Sequence, residues 1–305
     1  LRYKRRKQNT KPMKTLTPFG VRDYLPDEIK IVDDIILSMT QVFQSNGYQR
    51  IKTPSIEYLD SISHAISKSL KDKSIRFYDG QGQALMLRPE HTTAIARIVS
   101  SRLQDEDGPF KFYYSDPVFR KDSLQGETEF LQIGLEHIGA SGIETDAAII
   151  MNGIDAAKAI GLSDINIDIG HHSLVTQFSD SEKAAIIAGD YLQLSELPKR
   201  GGVELIENNS ELQSLYKILD DAGYAAHISF NQGMIQTDSY YTGIFFDVVY
   251  PNYGRRLGVG GRYDELLGKF SKPQPAVGLA FRLDRIRNVM KQMQAPELTK
   301  REPQS

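Results

Sequence analysis

The chain has no cysteine. Disulfides, thiolate metal sites and cysteine nucleophiles are therefore excluded, and a reducing compartment suits such a sequence. No apolar run reaches the roughly 18 residues that a membrane span needs. The longest candidate, Gly243 to Tyr250, is broken by Asp247. Internal repeats are absent, and 24 glycines with 13 prolines in 305 residues are an ordinary share, so collagenous, low-complexity and disordered classes fall away. Metal-ligand spacing is missing as well. His171 and His172 are adjacent, and no other histidine or acid stands at a ligating interval from them. Gly258-Val-Gly-Gly-Arg-Tyr263 starts like a dinucleotide fingerprint but ends in tyrosine, and Gly268-Lys269-Phe270 lacks the hydroxyl residue of a phosphate loop. What is present is 40% hydrophobic and 25% charged residues, in a chain long enough to bury about three-quarters of its unfolded surface.

The charge is spread unevenly. Residues 1–12 carry six basic side chains and no acid. Without them, 31 basic residues face 39 acidic ones, so the formal net charge of −2 conceals a body at −8. Such a body is a poor electrostatic match for nucleic acid, where affinity rests on neutralised phosphates. The arm itself could be a nucleic-acid arm, a targeting peptide, a disordered start or an extension upstream of Met13. A disordered or non-native extension is favoured, because charge runs are usually solvated.

Along the chain the pattern is α+β. Ile29, Val32, Ile35/Ile36, Met39 and Val42/Phe43 recur at helical spacing within 25–47, with Pro26, Asp27 and Glu28 at the start and Gly47 at the end. Residues 75–79 and 84–87 read as a hairpin. Arg88-Pro89-Glu90 opens a helix to about Leu103. Residues 111–120 and 128–139 read as two long strands joined by a polar loop. A helix over 144–160 and a strand over 165–169 follow. The polar, mostly helical stretch at about 172–225 reads as an inserted subdomain. Strands return at 226–230 and 242–250, Gly258 to Gly261 reads as a turn, and 276–290 reads as strand then helix, with a frayed tail over 291–305. Adjacent strands with short connections predict an antiparallel sheet flanked by helices.

Four polar clusters stand out. Arg120 closes one long strand. Gln132 and Glu136 alternate on one face of the next, with Gly134 between them, while Phe130, Leu131, Ile133 and Leu135 indicate that both faces are covered. Polar groups buried in such a place need partners, which a ligand amine or imidazole could supply. Arg88-Pro-Glu90-His-Thr92 sits at a strand-to-helix junction, where a helix cap is the plain alternative. Ser239-Tyr240-Tyr241-Thr242 and Leu283-Asp-Arg285 complete the set.

In this order the clusters resemble the catalytic core of class II aminoacyl-tRNA synthetases, the histidyl enzymes in particular, from about Thr17 to Met290. Residues 18–26 are similar to that family's opening segment. Gly47 to Pro54 is similar to its first motif, which builds a dimer interface, and Tyr113 to Glu136 to its second. Gly260 to Asp264 and Ala276 to Arg285 are similar to its glycine turn and third motif. The resemblance implies an amino-acid pocket of Glu90, Thr92, Gln132, Glu136, Tyr240 and Tyr241. Glu90 and Gln132 would take an α-ammonium group, and Glu136 with the tyrosines an imidazole. Arg120 would meet the carboxylate and α-phosphate, and Arg285 a vestigial nucleotide side.

The departures are as informative. Aligned on Tyr240-Tyr241, Gln236 stands where the synthetases carry a catalytic arginine, and Gly243 replaces a second one. The loop after Arg120 is short and acidic, Gly126-Glu-Thr-Glu-Phe130, where those enzymes place another arginine. His91 replaces a glycine. Losing one electrostatic donor at a transition state costs roughly 10²–10³ in rate. Only about 15 residues follow Met290, so no anticodon-binding domain is expected. This combination resembles the regulatory subunits of short-form ATP phosphoribosyltransferase, synthetase relatives without aminoacylation. That resemblance implies a non-catalytic, cytoplasmic chain, a homodimer within a hetero-oligomer with the short catalytic subunit. It implies histidine as effector of feedback inhibition, no tRNA, no membrane and no cofactor in this chain, with magnesium on the catalytic partner. A truncated synthetase and a free-standing histidine sensor are the alternatives.

Overall fold

The computed structural model describes residues 16–121, 126–235 and 241–294. The basic arm, Gln236, Tyr240 and residues 295–305 lie outside the described residues. Helix α1 (Pro26–Ser45) buries Val32, Ile35, Met39 and Phe43 of the predicted stripe but leaves Ile29 exposed, and the chain turns at Gly47, whose φ of +81° a side chain would resist. Then come β1 (Gln49–Arg50), β2 (Ile56–Tyr58), α2 (Leu59–Ile62), α3 (Lys68–Lys73), β3 (Arg76–Tyr78), β4 (Ala84–Leu87) and α4 (Thr92–Arg102). The two long strands are β5 (Phe110–Phe119) and β6 (Glu129–Ile138). They are followed by α5 (Ile143–Ala159), β7 (Asn166–Gly170), α6 (Asp180–Ala188), β8 (Arg200–Gly201), α7 (Ser210–Asp221) and β9 (Ile228–Asn231). Strands β10 (Phe245–Val249), β11 (Gly258–Arg262) and β12 (Ala276–Arg282) lead into α8 (Leu283–Gln294).

Nine strands form one sheet in the order β1-β5-β6-β12-β11-β10-β7-β9-β8, and β2-β4-β3 form a small second sheet. From β5 to β7 the large sheet is antiparallel, as expected. Two pairs correct that expectation: β1 with β5 and β7 with β9 run parallel. A parallel pair needs a long crossover, and the stretch 172–225 is the crossover between β7 and β9. This changes how that stretch reads. Its first part, with α6, has a small apolar cluster of Val175, Phe178 and Ile186. Its second part, α7, buries Leu212, Leu215 and Leu219 in the main core, beside Ile149, Ile150 and Ile154 of α5.

Alternation along the central strands divides the sheet into two faces. Ile133 and Leu135 of β6, with Val277, Leu279 and Phe281 of β12, point into the main core, where α1, α5 and α8 also bury their apolar sides. The opposite face of β6 carries Gln132, Gly134 and Glu136. There α4, through Ile95, Ala96 and Val99, packs in a second cluster with Tyr114, Ile138 and Leu267. The glycine-rich segment 258–261 is not a turn but the central strand β11. Glycine weakens an isolated strand, but here neighbours occupy the space of a side chain: a Cβ at Gly261 would meet the Tyr241 ring at 2.7 Å. The final helix continues to Gln294, beyond the point where fraying was expected.

Replacing Leu215 with alanine is predicted to lower the stability of the whole chain by about 2–5 kcal/mol. Thermal unfolding of the variant should show its main transition shifted. A main transition that stays in place while a separate, weaker one appears would mean that α7 does not belong to the common core.

Candidate functional site

Three cross-strand rows build the floor of a cavity of about 630 Å³ on the α4 side of the sheet. The first row runs Glu136, Gly278, Gly261, Phe245, Gly170 across β6, β12, β11, β10 and β7. The second runs Tyr114, Gly134, Ala280, Val259, Asp247, and the third Asp116, Gln132, Arg282. The hollow exists because the middle of each long row is nearly bare. A Cβ at Gly278 would overlap the Glu136 carboxylate, and one at Gly134 would overlap the Tyr114 hydroxyl.

Glu136 is at the centre of the inner end. It is 1% exposed, and its carboxylate accepts hydrogen bonds from the Thr92 hydroxyl at 2.8 Å and the Tyr263 hydroxyl at 2.5 Å. Burial pushes its carboxyl up to about 8. The nearby Glu90 carboxylate adds to the rise, and the hydroxyl donors work against it. Glu90, also buried, accepts from the Thr93 backbone N–H at 2.9 Å, so it caps α4 with one oxygen while its side chain lines the cavity. The cap and the pocket therefore share one residue. Gln132 is 4% exposed, and its Oε1 has no hydrogen-bond partner among the described residues. Gln132 also lines the cavity.

The turn that carries Glu90 and Thr92 is held by Arg88, which is 1% exposed. Its guanidinium donates to the carbonyls of Thr53 (2.7 Å), Pro54 (3.1 Å) and Pro117 (2.6 Å) and to the Thr53 hydroxyl (2.9 Å). Arg120 donates to the Pro89 carbonyl at 3.0 Å, and its guanidinium lies 5.1 Å from the centre of the Phe130 ring. Arg285 donates to the Arg256 carbonyl at 2.7 Å.

The outer half of the cavity is rich in cations, and the chain supplies anions to several of them. Arg282 lies over the Phe130 ring at 3.6 Å and is paired with both Glu127 and Asp284. Arg256 pairs with Asp247 at 3.2 Å. Burial raises the Asp247 carboxyl above its ordinary range, against the pull of Arg256. Among the described residues no group of three His, Asp or Glu side chains could hold a metal ion, and no helix is long and apolar enough to cross a membrane.

Of the residues singled out in the sequence, the structure brings Glu90, Thr92, Arg120, Gln132, Glu136, Tyr241 and Arg285 to this one cavity. Tyr240 and Gln236 lie outside the described residues. Sequence reasoning did not assign Tyr114, Tyr263, Asp247 or Arg282 to the site. Tyr263 follows directly on β11, and the register β6-β12-β11 alone brings it to Glu136, 127 positions away. The signal in the chain was the Gly-Arg-Tyr-Asp segment itself.

The comparisons agree with this architecture. A family model described as histidyl-tRNA synthetase matches residues 20–186 and 189–286. Apo histidyl-tRNA synthetase from S. aureus superposes with a TM-score of 0.70 at 22% identity, over 93% of this chain and 72% of that one, and so shares the fold. The chain is thus a class II, histidyl-tRNA synthetase-like protein. The ATP phosphoribosyltransferase regulatory subunit of Bacillus licheniformis is 32% identical over 92% of this chain and 82% of its own length. That of Caldanaerobacter subterraneus is 34% identical, over 88% and 81%. A solved structure described as an ATP phosphoribosyltransferase regulatory subunit/histidyl-tRNA synthetase from Bacillus halodurans has a TM-score of 0.81 at 30% identity, covering 92% of this chain and 84% of that one. The chain belongs to the family of ATP phosphoribosyltransferase regulatory subunits.

The Glu136 carboxyl has a testable consequence. Its value of about 8 lies above the 4.5 of an exposed glutamate, so between these values the folded chain holds a proton that the unfolded chain releases. The stability this provides is complete below about pH 4.5 and is lost as pH rises through 8. Thermal unfolding from pH 5 to 9 should show the wild type falling progressively below Glu136→Gln. Parallel curves for the two proteins would mean that Glu136 is ionised in the folded state throughout.

Proposed function

We propose that this chain is a non-catalytic regulatory subunit of a short-form ATP phosphoribosyltransferase. It activates the catalytic subunit and carries histidine as a feedback effector in the cavity around Glu136. The observation that carries the proposal is the contrast between the two halves of that cavity. The inner end keeps the groups that hold an amino acid in its ground state: Glu90, Thr92, Gln132 and Glu136, with Tyr241 and Tyr263 beside them. Its carboxylates and the orphaned Gln132 oxygen suit an ammonium group and an imidazole.

In the outer half, two of the cations are already engaged by acids of the chain. Arg282 is held by Glu127 and Asp284 and covers the Phe130 ring, and Asp247 stands in the same space beside Arg256. Anions there repel phosphate, and a guanidinium engaged by carboxylates has less to offer it. In the sequence, Gln236 supplies no charge where the synthetases place an arginine. A binding module keeps the contacts made with its ligand and can dispense with those made only in a transition state. On this proposal the chain needs no cofactor of its own, and magnesium serves the catalytic partner. An acidic body gives tRNA no electrostatic reason to bind. The first-motif segment, Gly47 to Pro54, serves a homodimer within the mixed assembly. Regulation further requires that histidine bind two states of that assembly with different affinity.

Co-expression with a short catalytic subunit should yield one mixed oligomer with raised phosphoribosyl transfer that histidine inhibits. Glu136→Ala should retain the activation and weaken inhibition by roughly 30-fold or more, the scale of losing a buried hydrogen-bond partner. Histidine-dependent pyrophosphate–ATP exchange should be absent. Subunits that elute separately would overturn the partnership, inhibition unchanged in Glu136→Ala would move the effector to another site, and exchange above background would restore catalysis.

A further inference from the structure

His91 stands next to Glu90 at the start of α4, where the synthetases carry glycine, and it is 1% exposed. Its ring stacks on Tyr114, with centroids 4.1 Å apart and planes at 25°. Its Nε2 lies 3.2 Å from the Asp116 carbonyl oxygen. A carbonyl can only accept, so Nε2 carries the hydrogen. Burial, with the neighbouring Arg88 cation, pushes the imidazole down to about 3 and keeps it neutral. Nδ1 is then a bare acceptor, and it has no hydrogen-bond partner among the described residues.

His91 lines the cavity, and what lies beside it is of the same kind. Asp116, whose carbonyl anchors the ring, stands directly opposite Gln132 in the β5–β6 ladder. The Gln132 Oε1 is likewise a buried acceptor without a partner among the described residues. Glu90, the preceding residue, contributes a carboxylate with one oxygen on the Thr93 N–H. Three residues that carry acceptors, His91, Gln132 and Glu90, therefore line the one cavity. The chemistry that answers such a set is a group with several N–H donors and a positive charge, a primary ammonium.

We propose that the Nδ1 of His91 accepts a hydrogen bond from the ligand's primary ammonium group, together with Gln132 and Glu90, making His91 a specificity-determining residue for an α-amino acid. This rests on the reading of the cavity as an amino-acid site and adds the residue that reads the amino group.

The test is calorimetric titration of the full chain with histidine and with imidazolepropionate, the same molecule without its ammonium group. His91→Phe keeps the stack on Tyr114 and removes the acceptor. It should weaken histidine at least tenfold and change imidazolepropionate by less than twofold. Equal losses for both ligands, or none for either, would reduce His91 to filling space and overturn the proposal. A wild type that binds neither ligand would instead refute the amino-acid site itself. Should His91→Phe fail to fold, ¹⁵N NMR of the wild type decides. The His91 Nδ1 resonance should move on adding histidine and stay in place with imidazolepropionate, and a resonance unmoved by bound histidine would overturn the proposal.

Discussion

The structure depends most on one buried carboxylate. Glu136 receives the hydroxyls of Thr92 and Tyr263, and so ties the start of α4 and the end of β11 to the middle of β6. Its oxygen lies where a side chain at Gly278 would stand, which makes the bareness of β12 at that point a condition of the contact. Removing an acid from water is costly, and the two hydroxyl donors offset only part of that cost, as the raised carboxyl shows. On the function proposed above, a ligand completes the bonding of this group. The orphaned oxygen of Gln132, on the same face of the same strand, points the same way.

Much of this was legible along the chain. The helix over 26–45, both long strands and the placing of Gln132, Gly134 and Glu136 on one face follow from periodicity alone. The ambiguity of Arg88 to Thr92 between cap and pocket was also real, since Glu90 does both. What periodicity could not reach was anything set by register between distant strands. Glycine at 258, 260 and 261 is the ordinary mark of a turn, and only the neighbours across β10 and β12 show why a strand is bare there. The parallel pairing of β7 with β9 was hidden for a similar reason: a polar helical stretch reads alike whether it is an insertion or a crossover. The Glu127–Arg282 pair spans 155 positions and leaves no local trace.

That pair bears on function as much as on fold. In one cavity, Glu90, Gln132 and Glu136 line one end, while at the other Arg282 and Arg256 are engaged by the chain's own acids and Arg282 by an aromatic ring. Ground-state recognition and transition-state stabilisation rest on different residues, so one can be kept while the other is withdrawn. Membership of the regulatory-subunit family fits this division.

The central claim is that the preserved pocket is the effector site. The most direct test is a crystal structure of the chain with saturating histidine. The account predicts one molecule in the cavity of each chain, its ammonium group among Glu90, His91 and Gln132 and its imidazole against Glu136. Histidine found at a subunit interface, with this cavity unchanged, would contradict it.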